Sequence, residues 1–102
     1  MEPFTVSAHG DLDGALAAAA AADSKFIAGG TDLMQLMKDR VERPQHLVDL
    51  DGLPLDRIEF TDDGARIGAL VRMSDAADHP ELRRRWPVIS EALLASASPQ
   101  LR

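Results

Sequence analysis

Two rhythms of apolar and polar residues divide the chain. Over the first half, short apolar runs alternate with stretches in which apolar residues return every three or four positions. Residues 4–6 are apolar and β-prone, which predicts a strand. Asp11 then stands where an N-cap is wanted, with Asp13 in the first helical turn, where the helix dipole favours anions. Leu12, Ala15, Leu16 and Ala19 give the i, i+3, i+4, i+7 spacing of one helix face, and the alanines at 17–22 have the best helix propensity available. Asp23 and Ser24 end that helix. Residues 25–28 form a short apolar run that predicts a buried strand. Gly29 and Gly30 break it, and Thr31 or Asp32 is expected to cap a second helix. Leu33, Leu36 and Met37 carry that helix towards Arg40. Pro44 stops it, and residues 46–50 read as a third strand. The order β-α-β-α-β implies a parallel three-stranded layer with right-handed crossovers.

The second half changes period. Residues 57–60 and 66–70 alternate polar and apolar, and Asp62, Asp63 and Gly64 lie between them as a turn, which predicts a hairpin. Ser74 and Asp75 open a short helix that Pro80 interrupts. Pro87 suits the first position of a last helix, with Ile89, Leu93 and Leu94 on its apolar face. No internal repeat or linker-like tract is visible.

Composition narrows the functions open to such a chain. With 45% hydrophobic and 27% charged residues it is globular rather than disordered. Seventeen acidic residues against eleven Lys and Arg leave a formal net charge of −6. That argues against sequence-independent nucleic-acid binding and against attraction to an anionic membrane surface. The absence of cysteine removes disulfides, thiolate zinc sites, iron–sulfur ligation and a cysteine nucleophile from this segment. His9, His46 and His79 show no paired ligand spacing. The start, from Met1 to Val6, lacks the basic and apolar regions of a secretory signal, and the alanine run is too short to span a bilayer.

The strongest local signal for chemistry is the stretch Lys25, Phe26, Ile27, Ala28, Gly29, Gly30, Thr31, Asp32, Leu33. A strand delivers the chain to two glycines and a helix begins at once. Glycine lacks a Cβ, so backbone N–H groups can approach an anion closely, and the helix start adds unpaired donors and partial positive charge. Thr31 could add a hydroxyl. Asp32 works against a phosphate there and must point away, as a cap. A bulky residue at Gly30 is expected to block the approach. The same spacing also serves a tight turn that holds no ligand. It is not a Rossmann G-x-G-x-x-G, and it lacks the lysine of a Walker loop. Arg83, Arg84, Arg85 and Trp86 form the only basic cluster, which suits an anion or partner contact or simply a solvated helix end. Leu33, Met34, Leu36 and Met37 read as core. No G-x-S-x-G elbow accompanies the serines.

The stretch from Phe26 to Leu33, followed by Leu36, Met37 and Lys38, resembles the first flavin-binding motif of the molybdenum hydroxylase family. The FAD-binding medium subunits of xanthine dehydrogenases, carbon monoxide dehydrogenases and aldehyde oxidoreductases carry it. Bacterial aldehyde oxidoreductase FAD subunits are nearest in kind. Three more blocks agree in type and order: residues 44–50, residues 66–72, and residues 87–102. The resemblance implies an α+β FAD fold of the vanillyl-alcohol-oxidase or PCMH type. Residues 1–55 would form its N-terminal β-α-β-α-β subdomain, and residues 56–102 would begin a second subdomain of antiparallel sheet with helices. It also implies that Lys25, Phe26, Ile27, Ala28, Gly29, Gly30, Thr31, Asp32 and Leu33 bind FAD, with Gly29, Gly30 and Thr31 nearest the pyrophosphate. Leu70 is a further flavin-contact candidate.

The same resemblance implies a route for electrons. A large subunit with a molybdenum cofactor oxidises an aldehyde or related substrate. Electrons pass through 2Fe–2S iron–sulfur clusters in a small subunit to FAD held here, and then to an external acceptor. The assembly would be a heterotrimer or a dimer of heterotrimers, cytoplasmic or carried to the periplasm with a partner. No side chain of this segment would need to act as acid, base or nucleophile, and no metal ligand is expected in it. Family members are longer, with a second glycine-rich element of the type Thr-x-Gly-Gly-Asn beyond the residues matching Arg102. The chain therefore reads as the N-terminal part of such a subunit. The alternative is an assembly module that docks to the same partners without holding flavin.

Overall fold

Asp11 closes the first helix as its position suggests. In a computed structural model that describes residues 2–102, its carboxylate Oδ1 accepts a hydrogen bond from the Gly14 N–H at 2.7 Å. That helix, α1, runs Leu12–Ala19 between strands β1 (Thr5–Ala8) and β2 (Ser24–Ile27). Helix α2 (Thr31–Lys38) and strand β3 (His46–Asp49) come next. The three strands are parallel in the order β1-β3-β2, so the last strand lies in the middle. Its register aligns Val6, Leu47 and Lys25 in one row and Ser7, Val48 and Phe26 in the next. Leu47 and Val48 point to opposite faces and are 1% and 0% exposed, so both faces of the central strand are covered. Right-handed crossovers put α1 and α2 on opposite faces, which accounts for this. Burying these two side chains contributes about 1.5–3 kcal/mol each.

The elements expected from the sequence are present, with shifts at their ends. β1 lies one to two residues later than expected, and β2 one residue earlier, so Ala28 falls outside it. The apolar face assigned to α1 is only partly used. Ala15 is fully buried, whereas Leu12 and Leu16 remain about half exposed. The close seat of a small alanine against the sheet brings α1 down on Ala15 rather than on its leucines. On α2, Met37 is buried and Leu33 half-buried, while Leu36 turns outward.

The chain divides into two compact units, the first ending at Pro54 and the second starting at Leu55. In the second unit, β4 (Ile58–Phe60) and β5 (Ala65–Ile67) form the expected antiparallel hairpin. β5 stops earlier than residue 70. Gly68 sits against the backbone of residue 55, where a Cβ would lie 2.1 Å from the Leu55 carbonyl oxygen. A turn from Gly68 to Val71 then leads the chain away, so Leu70 lies in a turn rather than a strand. α3 (Met73–Asp78) begins at Met73, with Arg72 as its N-cap, rather than at Ser74. Pro80 starts α4 (Pro80–Arg85), whose N-cap His79 accepts from the Glu81 N–H through Nδ1 at 3.2 Å. Pro87 opens α5 (Pro87–Ala95) as expected. α5 buries Ser90, whose hydroxyl donates to the Ala77 carbonyl on α3, while Leu94 stays exposed. Small residues at Ala76, Ala77 and Ser90 let these two helices approach closely, a contact that apolar periodicity does not reveal.

Candidate functional site

Both helices of the first unit start at the carboxyl-terminal edge of the parallel sheet, where ligands of open α/β layers gather. Their first turns differ. The start of α1 carries the Asp11 carboxylate, which takes one of its N–H groups, that of Gly14. The start of α2 is open: its N-cap is Gly30, and no side chain caps it. The N–H groups of Thr31, Asp32 and Leu33 have no intrahelical acceptor, because the first helical hydrogen bond runs from the Met34 N–H to the Gly30 carbonyl at 2.9 Å. The expectation that Thr31 or Asp32 would cap is therefore corrected. Gly30 takes that position in the left-handed region, with φ 78° and ψ 1°, a conformation that glycine adopts without a Cβ penalty.

The two glycines face different surroundings. A Cβ at Gly29 would meet nothing within 4 Å. A Cβ at Gly30 would lie 3.3 Å from Ile27 Cδ1 and 3.3 Å from Met34 Cγ. Gly29 thus presents bare backbone to open space, and Gly30 turns its substituent position inward. This revises the expectation for Gly30: a side chain there would press on Ile27 and Met34 before it reached a ligand. Open N–H donors, a helix start and an unobstructed glycine suit a pyrophosphate.

The other residues of the stretch surround this turn, with one exception. Thr31 and Asp32 are exposed on the first turn of α2, and Leu33 is half-buried. Phe26 projects from the edge strand and is 43% exposed. Ile27 ends β2, and Ala28 is exposed just beyond it. Lys25 is the member whose side chain leads elsewhere. Its ammonium lies 3.3 Å from Glu42, beyond the C-terminal end of α2 and thus at the opposite end of that helix from Gly30. Leu70 belongs to the second unit.

Other clusters have structural partners. Arg84 lies 2.6 Å from Glu81. Arg85 donates to the Thr61 and Asp62 carbonyls at 2.8 and 3.0 Å, and its guanidinium stacks 4.4 Å from the Trp86 ring centre. Arg85 therefore pins the hairpin turn, while Arg84 pairs along its own helix. The hydrogen bond from Arg84 holds the Glu81 carboxyl below its ordinary value of 4.5, and the charges of Arg84, Arg85 and His79 add to this. In the first unit, His46 bridges Thr5 and Ser7 of β1 at 2.6 and 2.8 Å, and Ser7 reaches His9 at 2.9 Å. Sequence spacing gave no sign of this chain, since parallel pairing alone brings His46 beside residues some forty positions away. Among the described residues, no three metal-ligating side chains gather, and no helix is long and apolar enough to cross a membrane.

Residues 2–102 match the family described as the FAD binding domain in molybdopterin dehydrogenase. The chain belongs to that family. It is 56% identical, over its whole length, to the aldehyde oxidoreductase FAD-binding subunit PaoB of Escherichia coli, of which it covers 33%. It is 36% identical over 78% of its length to the carbon monoxide dehydrogenase medium chain of Hydrogenophaga pseudoflava, covering 28% of that protein. The structure superposes on carbon monoxide dehydrogenase from Oligotropha carboxidovorans with a TM-score of 0.91 at 31% identity, over all of this chain and 37% of the other. The fold is thus that of the family's FAD-binding domain, consistent with a PCMH-like α+β architecture. The chain spans about a third of the length of the curated relatives it matches. Those relatives are subunits of oxidoreductases.

Proposed function

We propose that this family member holds the pyrophosphate of FAD at the Gly29–Gly30 turn and the open start of α2. The observation that carries this reading is the contrast between two neighbouring helix starts. One carries the Asp11 carboxylate, which takes the Gly14 N–H, and the other offers three unpaired N–H groups and no capping side chain beside a glycine with free space. Gly29, Gly30 and Thr31 would lie nearest the phosphates. Phe26, Ile27, Ala28, Asp32 and Leu33 would shape the surrounding wall. Lys25 would contribute its backbone, its ammonium being drawn to Glu42. The Asp32 carboxylate would face away from the phosphates, on the solvent side of the first turn.

FAD bound there would supply one- and two-electron transfer between iron–sulfur clusters and an external acceptor. The chain's own residues do the holding. The amides of the first turn would offset the negative charge, and the rigid parallel sheet would fix where it sits. A molybdenum-cofactor large subunit and an iron–sulfur small subunit would complete the assembly, with an aldehyde or related substrate oxidised outside this chain. Such an assembly would be a heterotrimer or its dimer, in the cytoplasm or exported with a partner.

The test is the flavin content of Gly29→Val, expressed from the full reading frame that encodes the chain. Wild type should retain a yellow colour through gel filtration, and the variant should elute with far less flavin at unchanged size. Equal flavin in both would sink the cradle. A colourless wild type that co-purifies with larger subunits would favour the docking module instead.

A further inference from the structure

We infer that Met34, which packs with Ile27 beneath Gly30, is a positioning residue that sets the aim of the pyrophosphate cradle. The inference rests on the FAD reading above. The space beneath Gly30 carries it. The substituent position of that glycine points at Ile27 Cδ1 and Met34 Cγ, each 3.3 Å from an ideal Cβ. Ile27 is the last residue of β2, and Met34 stands one turn into α2. The two side chains therefore converge from the strand and the helix on Gly30, the last of the three residues that join them.

Met34 also holds Gly30 through the backbone, since its N–H donates to the Gly30 carbonyl at 2.9 Å. Gly30 is thus held by this hydrogen bond, and Ile27 and Met34 line the space that a side chain on it would take. The grip has a consequence for binding. Glycine populates both signs of φ readily, so an unsupported Gly30 would lose its fixed left-handed conformation. The three N–H groups that follow it would then fray rather than converge. Donors that are pre-aimed cost nothing to organise when an anion arrives, whereas donors that must be ordered lower the affinity. Methionine suits this seat, because its unbranched thioether fills an irregular gap between a strand end and a helix.

The experiment measures FAD affinity and apo-protein stability together, in protein made from the full reading frame. The variants are Met34→Ala, Met34→Leu and Ile27→Val, with Gly29→Val as a control on the cradle. Met34→Ala should raise the dissociation constant for FAD roughly tenfold, the scale of a sub-ångström misplacement of binding groups. Met34→Leu, which refills the gap, should restore it. A purely structural role would lower the urea midpoint of the apo protein but leave FAD affinity of the folded fraction unchanged. Should Met34→Ala fail to fold, Ile27→Val removes a single methyl group and should weaken FAD binding in the same direction, by about threefold. Wild-type affinity in folded Met34→Ala or Ile27→Val, with flavin still lost in Gly29→Val, would overturn the positioning role alone. Normal FAD binding by Gly29→Val would overturn the cradle and the inference with it.

Discussion

The two glycines of the turn make opposite demands, and paired alanine substitutions separate them. At Gly30 the backbone is left-handed, and placing an L side chain there costs about 1–2 kcal/mol. The new Cβ would also press at 3.3 Å on Ile27 and Met34, but both contacts are ends of flexible side chains and can give by a few tenths of an ångström. The backbone conformation therefore dominates, and Gly30→Ala should lose about 1–2 kcal/mol of stability. At Gly29, φ lies outside the left-handed region and the Cβ enters open space. Gly29→Ala should leave stability unchanged or raise it by about 0.4–1 kcal/mol through the less flexible unfolded chain. Binding should run in the other order. The Gly29 methyl group stands on the open side, where the phosphates would approach, whereas the Gly30 methyl group points inward. Urea unfolding of the apo proteins and FAD titration of the folded proteins read the two effects separately. Gly29→Ala as the less stable variant, or with the unimpaired FAD affinity of the two, would refute the reasoning.

Three further substitutions test the frame around the site. Gly68→Ala would drive a Cβ to 2.1 Å from the Leu55 carbonyl oxygen and disturb the hydrogen bonds Gly68 N–H to Arg57 and Leu70 N–H to Leu55. It should cost about 2–4 kcal/mol, read as a lowered urea midpoint. Asp11→Ala removes the cap of α1 and should cost about 1 kcal/mol by the same measurement, with FAD affinity unchanged because that helix end is not the cradle. Glu81 titrates below its ordinary value of 4.5 through the Arg84 hydrogen bond, so its contribution is full above that value and fades as the pH falls through the lower folded value. Stability measured in an acid series should therefore fall more steeply in wild type than in Glu81→Gln.

Much of the architecture is legible in the sequence because local signals agree with the final packing. Asp11 before Leu12, Pro87 before a helical run, and Asp63-Gly64 between alternating strands each name an element that forms. The parallel order comes from alternating strands and helices. The core is less legible. Helical spacing points to Leu12 and Leu16, yet α1 seats Ala15, and α5 buries Ser90 through a hydrogen bond to Ala77. Close helix packing favours small residues, which apolar periodicity overlooks. The glycine turn is visible as a motif, but its handedness is not. That Gly30 turns inward, towards Ile27 and Met34, and Gly29 outward depends on how β2 and α2 meet. The Lys25 side chain likewise goes to Glu42, a residue seventeen positions away, rather than to its neighbours in the motif.

The central claim is that FAD docks on the amides of the second helix start and not the first. Amide NMR of isotope-labelled protein, titrated with FAD, addresses it most directly. The resonances of Gly29, Gly30, Thr31 and Asp32 should shift as their N–H groups meet the phosphates, while that of Gly14, already bonded to Asp11, stays in place. Unmoved resonances at Gly29 to Asp32 in protein that has bound FAD would contradict the claim.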